Sequence, residues 1–244
     1  MTHGVFLWYT VRYASLPSPE PEVHSMKTAL RIDFVSDVSC PWCVIGLRGL
    51  EQALASCADE LTAEIHLQPF ELNPGMAPEG QNLDEHLLQK YGATPEQFAD
   101  TREAIRARGE ELGFTFRMDR RNRIYNTFDA HRLLHWAGLQ GRQTELKHAL
   151  FESYFTAGNA PSDHAVLVEA ARAAGLDPQA AAEVLAQGTY ADEVRALEQR
   201  YTGAGIHAVP AVVVNERYLI QGGQPVEVYA ETLRKIASQE NAAT

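Results

Sequence analysis

Apolar and polar residues alternate at Leu30, Ile32 and Phe34, with Val35 following, and this predicts a first strand over residues 30–35. A helical pattern takes over from residue 44 to about 55. Alternation returns at Ala63, Ile65 and Leu67, then ends in Pro69 and Phe70 ahead of the turn residues Glu71-Leu72-Asn73-Pro74-Gly75. Strand, helix and strand in this order predict parallel pairing through a right-handed crossover. Gly46 and Gly49 weaken the helix between them, so close packing on a neighbour is expected there.

From there to about residue 201 the pattern is helical. A short helix is expected over 83–91. Thr94-Pro95-Glu96-Gln97 is a capping box with proline at the first helical position, and Gly113 closes that helix. Residues 114–123 are irregular and arginine-rich. Further helices are predicted over 126–137, stopped by Gly138; over 144–157, stopped by Gly158; and over 162–174, capped by Ser162 and stopped by Gly175. Asp177-Pro178 opens another, ending at Gly188, and 190–201 is the last of the series. The pattern then changes back. Val209-Pro210 precedes the apolar run 211–214, Asn215-Glu216 reads as a tight turn, and 217–220 forms the second arm of a hairpin. Gln224-Pro225 opens a final helix to about 237, with Val226, Tyr229, Leu233 and Ile236 on one face.

Neither the leading β-α-β block nor the closing β-β-α block covers its own sheet edge and apolar face. Joined, they make a mixed sheet with helices on both sides. The expected fold is therefore α/β: a thioredoxin scaffold with a large all-helical domain inserted after the second strand. Residues 26–72 and 203–244 would form the thioredoxin-like part, and 73–202 the insertion. Residues 1–25 are expected to lie outside the fold, as a disordered extension. Their short apolar stretch, 5–11, has no basic residue before it and no small-residue cleavage pattern after it, and Pro17-Ser18-Pro19-Glu20-Pro21-Glu22 is linker-like. Met26 is then a candidate start. The competing reading of this segment is an unusual export signal or anchor.

Composition narrows the function. The chain has 244 residues, 45% hydrophobic, with a formal net charge of −11, which argues against a nucleic-acid partner. No apolar run is long enough to span a bilayer, so no membrane partner is expected. Three cysteines do not make a disulfide framework, and the expected compartment is the cytoplasm.

Two of those cysteines fall in Cys40-Pro41-Trp42-Cys43, between the first strand and its helix. Thiols at i and i+3 in a first helical turn point the same way and can close on each other. Pro41 suits the first helical position, which makes Cys40 the cap residue, its sulfur facing the N–H groups of Trp42 and Cys43. Those groups and the helix dipole favour a thiolate, so Cys40 is expected to attack and Cys43 to resolve. The spacing also serves half of a zinc knuckle, or two unrelated buried thiols. No second ligand pair follows, so no metal is expected; Cys57 reads as a free structural thiol.

Four segments in register carry a resemblance. Asp37-Val38-Ser39-Cys40-Pro41-Trp42-Cys43, Pro69-Phe70-Glu71-Leu72-Asn73-Pro74, Asn126-Thr127-Phe128-Asp129-Ala130-His131-Arg132, and Val209-Pro210 with Gln221-Gly222-Gly223-Gln224-Pro225 resemble the FrnE-like branch of the DsbA family over roughly residues 28–238. The resemblance implies a thiol–disulfide oxidoreductase acting on protein or small thiols. It implies a cis peptide bond before Pro210, and a Val209 backbone offered to substrate. It also implies that His131 lines the substrate groove, where a lone helical histidine is otherwise a packed or surface residue. The isomerases and glutathione transferases of the same superfamily carry serine in place of Cys40, so two cysteines favour the redox branch. Phe34 stands where thioredoxin and DsbA carry a buried acid, so any base assisting Cys43 must come from elsewhere.

Other candidates keep two readings each. Trp42 either contacts substrate, as Pro41 would, or fills a junction. Asp37 either relays a proton or caps the loop. His207 is a loop residue. The cluster Arg117, Arg120, Arg121 and Arg123 is a solvated loop or a rim for carboxylates. No nucleotide or metal cofactor is implied; glutathione or another thiol would recycle the enzyme, as a monomer or homodimer. The alternatives are a glutathione-dependent isomerase or transferase, and a non-catalytic binding protein or holdase.

Overall fold

The structure, a computed structural model, describes residues 27–243 apart from 78, 93 and 95. The expectations for residues 1–25 and for Pro95 fall outside the described residues.

Strand β1 (Thr28–Ser36) alternates at its start and is buried on both faces from Ile32 onward, as a central strand must be. Helix α1 (Pro41–Ser56) leads to β2 (Leu61–Pro69), which pairs with β1 in parallel, Phe34 opposite Leu67. At the far end of the chain, β5 (Ala211–Val214) pairs antiparallel with β1, and β6 (Tyr218–Gln221) with β5, giving the order β2-β1-β5-β6. The hairpin turns at Asn215 and Glu216, both at positive φ, which matches the twist of the strands. Asn215 also exchanges hydrogen bonds with the backbone of Arg31, so the turn is tied to β1. Helix α9 (Val226–Ala243) buries Tyr229, Leu233 and Ile236 against α1, on the face the sequence pattern marks.

Between β2 and β5 lie α2 (Leu83–Tyr91), α3 (Ala99–Glu111), α4 (Phe128–Leu139), α5 (Gln143–Phe151), α6 (His164–Ala173), α7 (Pro178–Ala186) and α8 (Ala191–Gly203). Helix α5 runs on into a π-helical turn, Glu152–Ala157. The insertion is helical as expected, apart from a two-residue ladder between β3 (Gln81–Asn82) and β4 (Arg123–Ile124). Several boundaries differ from the sequence reading; α3 begins at Ala99 and not at the Thr94 box. Gly138 lies inside α4; the chain turns at Gly141, which takes φ +68° and so needs the left-handed region open to glycine. Asp163, not Ser162, caps α6 by accepting from the Ala165 N–H. The Thr94 box is present in part, with the Thr94 N–H donating to Gln97 at 2.7 Å.

One apolar cluster crosses from scaffold to insertion. Ile32, Phe34, Cys43 and Leu47 share it with Ile105, Phe114, Phe116, Phe151 and Phe155. A second, with Leu133, Leu146, Leu150 and Leu167, holds the helices together and includes Val38 of the loop before α1.

Candidate active site

The β1–α1 loop positions the motif. Cys40 is the cap residue of α1 in extended conformation, and Pro41 takes the first helical position. No cap hydrogen bond closes on its sulfur; the Cys40 thiol instead faces the Val209 carbonyl at 3.8 Å. Cys40 is 4% exposed and Cys43 fully buried. In the dithiol form the two sulfurs part in acidity. The Cys43 side chain hydrogen-bonds the Cys40 thiolate and lowers its pKa; burial opposes this, while the amides of Cys43 and Trp42 add to the lowering. Burial, then the Cys40 thiolate, push Cys43 well above the usual thiol range. A low-pKa sulfur near the surface thus sits on a high-pKa sulfur beneath it.

Val209 and Pro210 close the other side. Their peptide bond is cis. The Pro210 ring packs on Gly46, where an added Cβ would meet Cγ at 2.8 Å. A Cβ added at Gly49 would meet the Gln224 carbonyl at 3.2 Å, so both helix glycines have the packing reason expected of them. Cys40, Pro41, Trp42 and Val209 line a cleft of about 640 Å³, roofed by α2 and α3 through Leu87, Tyr91 and Ile105. Trp42 is 36% exposed at its edge. His207 is also on its wall.

Asp37 organises the loop. Its carboxylate accepts from Ser39 N at 3.1 Å and from Leu72 N at 2.8 Å, joining the motif loop to the Glu71-Leu72 turn. Burial alone would raise its pKa, but the neighbouring His131 and the two amides outweigh this and hold it below the ordinary value. His131 is placed differently from expectation. It does not line the cleft at Cys40; it is buried behind Asp37, its Nε2 3.5 Å from Oδ1, at ion-pair range but off hydrogen-bond geometry. The helical period of α4 turns it inward, toward the loop rather than the groove.

The four arginines do not form one rim. Arg117 pairs with Asp119, Arg123 donates to the Glu79 and Gly80 carbonyls, and Arg120 packs on Gly158. Arg121 alone lines the cleft. It donates to the Tyr154 hydroxyl and the Ser39 carbonyl, and lies over the Tyr154 and Phe155 rings. Cys57 is buried in the core.

Sequence reasoning missed Lys147 of α5. It is 1% exposed. Burial lowers its pKa to about 8, while Cys43, Asp37 and Cys40 act to raise it. The signal was present: Gln143, Lys147 and Phe151 recur every four residues, so the lysine shares a face with a core aromatic.

Residues 31–234 match the family described as the DSBA-like thioredoxin domain. The chain belongs to that family. The fold of this DSBA-like protein is similar to a probable DsbA oxidoreductase of Streptomyces coelicolor, with 36% identity, TM-score 0.80, and coverage of 86% of this chain and 91% of that one. It shares its fold with a 2-hydroxychromene-2-carboxylate isomerase at 12% identity and TM-score 0.64, covering 88% and 99% of the two chains. It also shares it with the cytosolic disulfide reductase DsbM of Pseudomonas aeruginosa, solved with glutathione, at 16% identity and TM-score 0.58, covering 84% and 98%.

Proposed function

We propose that this DSBA-like protein is a thiol–disulfide oxidoreductase that works through a Cys40–Cys43 dithiol and disulfide. The observation that carries the reading is the geometry of the pair: Cys40 caps α1 at the cleft with its thiol 3.8 Å from the Val209 carbonyl, and Cys43 lies buried three residues on in the first turn, with burial raising its pKa and the Cys40 pKa held lower. In the reducing direction the Cys40 thiolate attacks a substrate disulfide and releases one substrate thiolate. Cys43 then attacks Cys40, the enzyme disulfide forms, and the second substrate thiolate leaves. In the oxidising direction the same bonds exchange in reverse. Stabilising the Cys40 thiolate stabilises the reduced form, which makes the disulfide more oxidising. Pro41, Trp42 and the Val209 backbone would hold the substrate chain. Protein or peptide thiols would enter the cleft, and glutathione or another small thiol would recycle the enzyme in the cytoplasm without a metal or nucleotide.

A redox titration in glutathione buffers, with thiols counted by alkylation and mass spectrometry, tests this. Cys40 and Cys43 should titrate as one two-electron couple while Cys57 stays reduced. Cys40→Ala should abolish turnover, and Cys43→Ser should trap mixed disulfides on Cys40. Full activity in Cys43→Ser with no trapped partner would sink the dithiol mechanism.

A second reading, a glutathione-dependent isomerase or transferase, is favoured by the cleft, whose volume suits a small ligand, and by the fold shared with an isomerase. It expects activity to survive Cys43→Ser. A holdase expects function to survive Cys40→Ala.

A further inference from the structure

A second cleft, of about 440 Å³, lies behind the motif and shares no lining residue with the first. Its walls come from β2, α4 and α5, with Leu197 of α8. At its inner end is Lys147, which makes no hydrogen bond or ion pair within 4 Å among the described residues. An ammonium so deeply buried is ordinarily paired. Two contacts fix its place. Gln143, one turn earlier on the same face, bonds both the N–H and the carbonyl of Leu67 in β2. Phe151, one turn later, lies under the ammonium at 5.1 Å and belongs to the apolar cluster that contains Cys40 and Cys43. The neighbouring His148 pins α5 to α1 through Glu51 at 2.7 Å. The lysine is thus held between the sheet edge and the apolar cluster to which the buried thiols belong.

Cys43 needs such a group. To resolve a mixed disulfide it must lose a proton while buried, and the apolar cluster around it includes Phe34 of β1. Asp37 is engaged by two amides. The groups acting on Lys147 are Cys43, Asp37 and Cys40; the other titratable residues on the cleft wall are Glu64 and His66 of β2, His131 and His135 of α4, and Glu145 of α5.

We propose that Lys147 takes the proton of Cys43 during resolution and exchanges it with solvent through this rear cleft, away from the substrate. The proposal rests on the dithiol reading above. The step balances. The Cys43 S–H proton passes through an intervening water to Lys147 Nζ, the Cys43 thiolate attacks Cys40, the Cys40–Cys43 bond forms, and the bond from Cys40 to the substrate sulfur breaks. The substrate sulfur leaves with the electron pair as a thiolate, and Lys147 later gives its proton to water. In the oxidising direction the ammonium returns a proton to Cys43 as that sulfur leaves.

The test is single-turnover resolution of a mixed disulfide preformed on Cys40 with a chromogenic aromatic thiol, followed by release of that thiol against pH. Wild-type resolution should rise through an inflection near pH 8. Lys147→Met should resolve about 10²-fold more slowly, with the inflection moved up to that of the bare Cys43 thiol. The rate of forming the mixed disulfide should not change. Ethylamine added to Lys147→Ala should restore part of the lost rate in proportion to its concentration, because the space vacated opens on the rear cleft. A Lys147→Met rate and pH profile equal to wild type would overturn the proposal, and absence of amine rescue would overturn the rear route. The wild-type profile decides even where a variant fails to fold: an inflection only in the range of the bare Cys43 thiol also overturns the base. If wild type never resolves the mixed disulfide, the dithiol reading itself fails, and the proposal falls with it.

Discussion

Asp37 and Lys147 are the buried charges that act on the two cysteines, and they act with opposite sign. The Asp37 carboxylate raises the Cys40 pKa, and the Lys147 ammonium lowers that of Cys43. Asp37→Asn should therefore lower the Cys40 pKa further, readable by thiolate absorbance on titration. It should also cost about 1–3 kcal/mol, since an amide oxygen cannot serve both N–H groups equally. Because Asp37 is more acidic folded than unfolded, its stabilisation is present above the ordinary carboxylate value and is lost as pH falls through the folded one. The stability gap between variant and wild type should close in acid. Lys147 has the reverse linkage. Its folded pKa of about 8 lies below its ordinary 10.5, so the unfolded chain binds more protons between those values, and its contribution to stability rises with pH there. Lys147→Met should raise Tm at neutral pH, by differential scanning calorimetry, while slowing resolution. The cysteines were legible in the sequence because two thiols in a first helical turn are rare and their acidity follows from local geometry. Lys147 was legible only through its shared face with Phe151, against the usual reading of a helical lysine as surface, and the placement of His131 was not, because a helical pattern cannot tell which of two clefts an inward histidine serves.

At the scale of elements, α1 approaches the Val209-Pro210 loop more closely than a side chain permits. Gly46→Ala should push Cβ into the Pro210 ring, costing about 1–3 kcal/mol in urea unfolding, and should weaken trapping of mixed disulfides, because the loop bearing Val209 would shift away from Cys40. The glycines of α1 could be read from sequence as contact points, because they are costly in a helix interior. The end of α4 was misread because two glycines stand near it and only the backbone angle tells which one turns the chain. The β3–β4 ladder was illegible for a simpler reason: two residues have no period.

At the scale of the molecule, scaffold and insertion are joined by a common apolar core. Phe116 lies edge-on to Phe114 and Phe155, in the cluster that also holds Ile32 and Cys43. Phe116→Ala should cost about 3–5 kcal/mol and lower one cooperative transition, seen alike by circular dichroism and tryptophan fluorescence. Two separate transitions would show that the insertion is stabilised on its own. The strand order of the scaffold followed from apolar alternation, but this shared core could not, since a hydrophobic pattern names the buried face and not its partner.

The carboxamide of Gln143 occupies the seat that a further strand would take beside Leu67. A side chain, rather than a charge or a proline, thereby plugs the β2 border near its C-terminal end. A second chain arriving there finds the backbone partners of Leu67 already taken, an obstacle to strand addition at that end of β2.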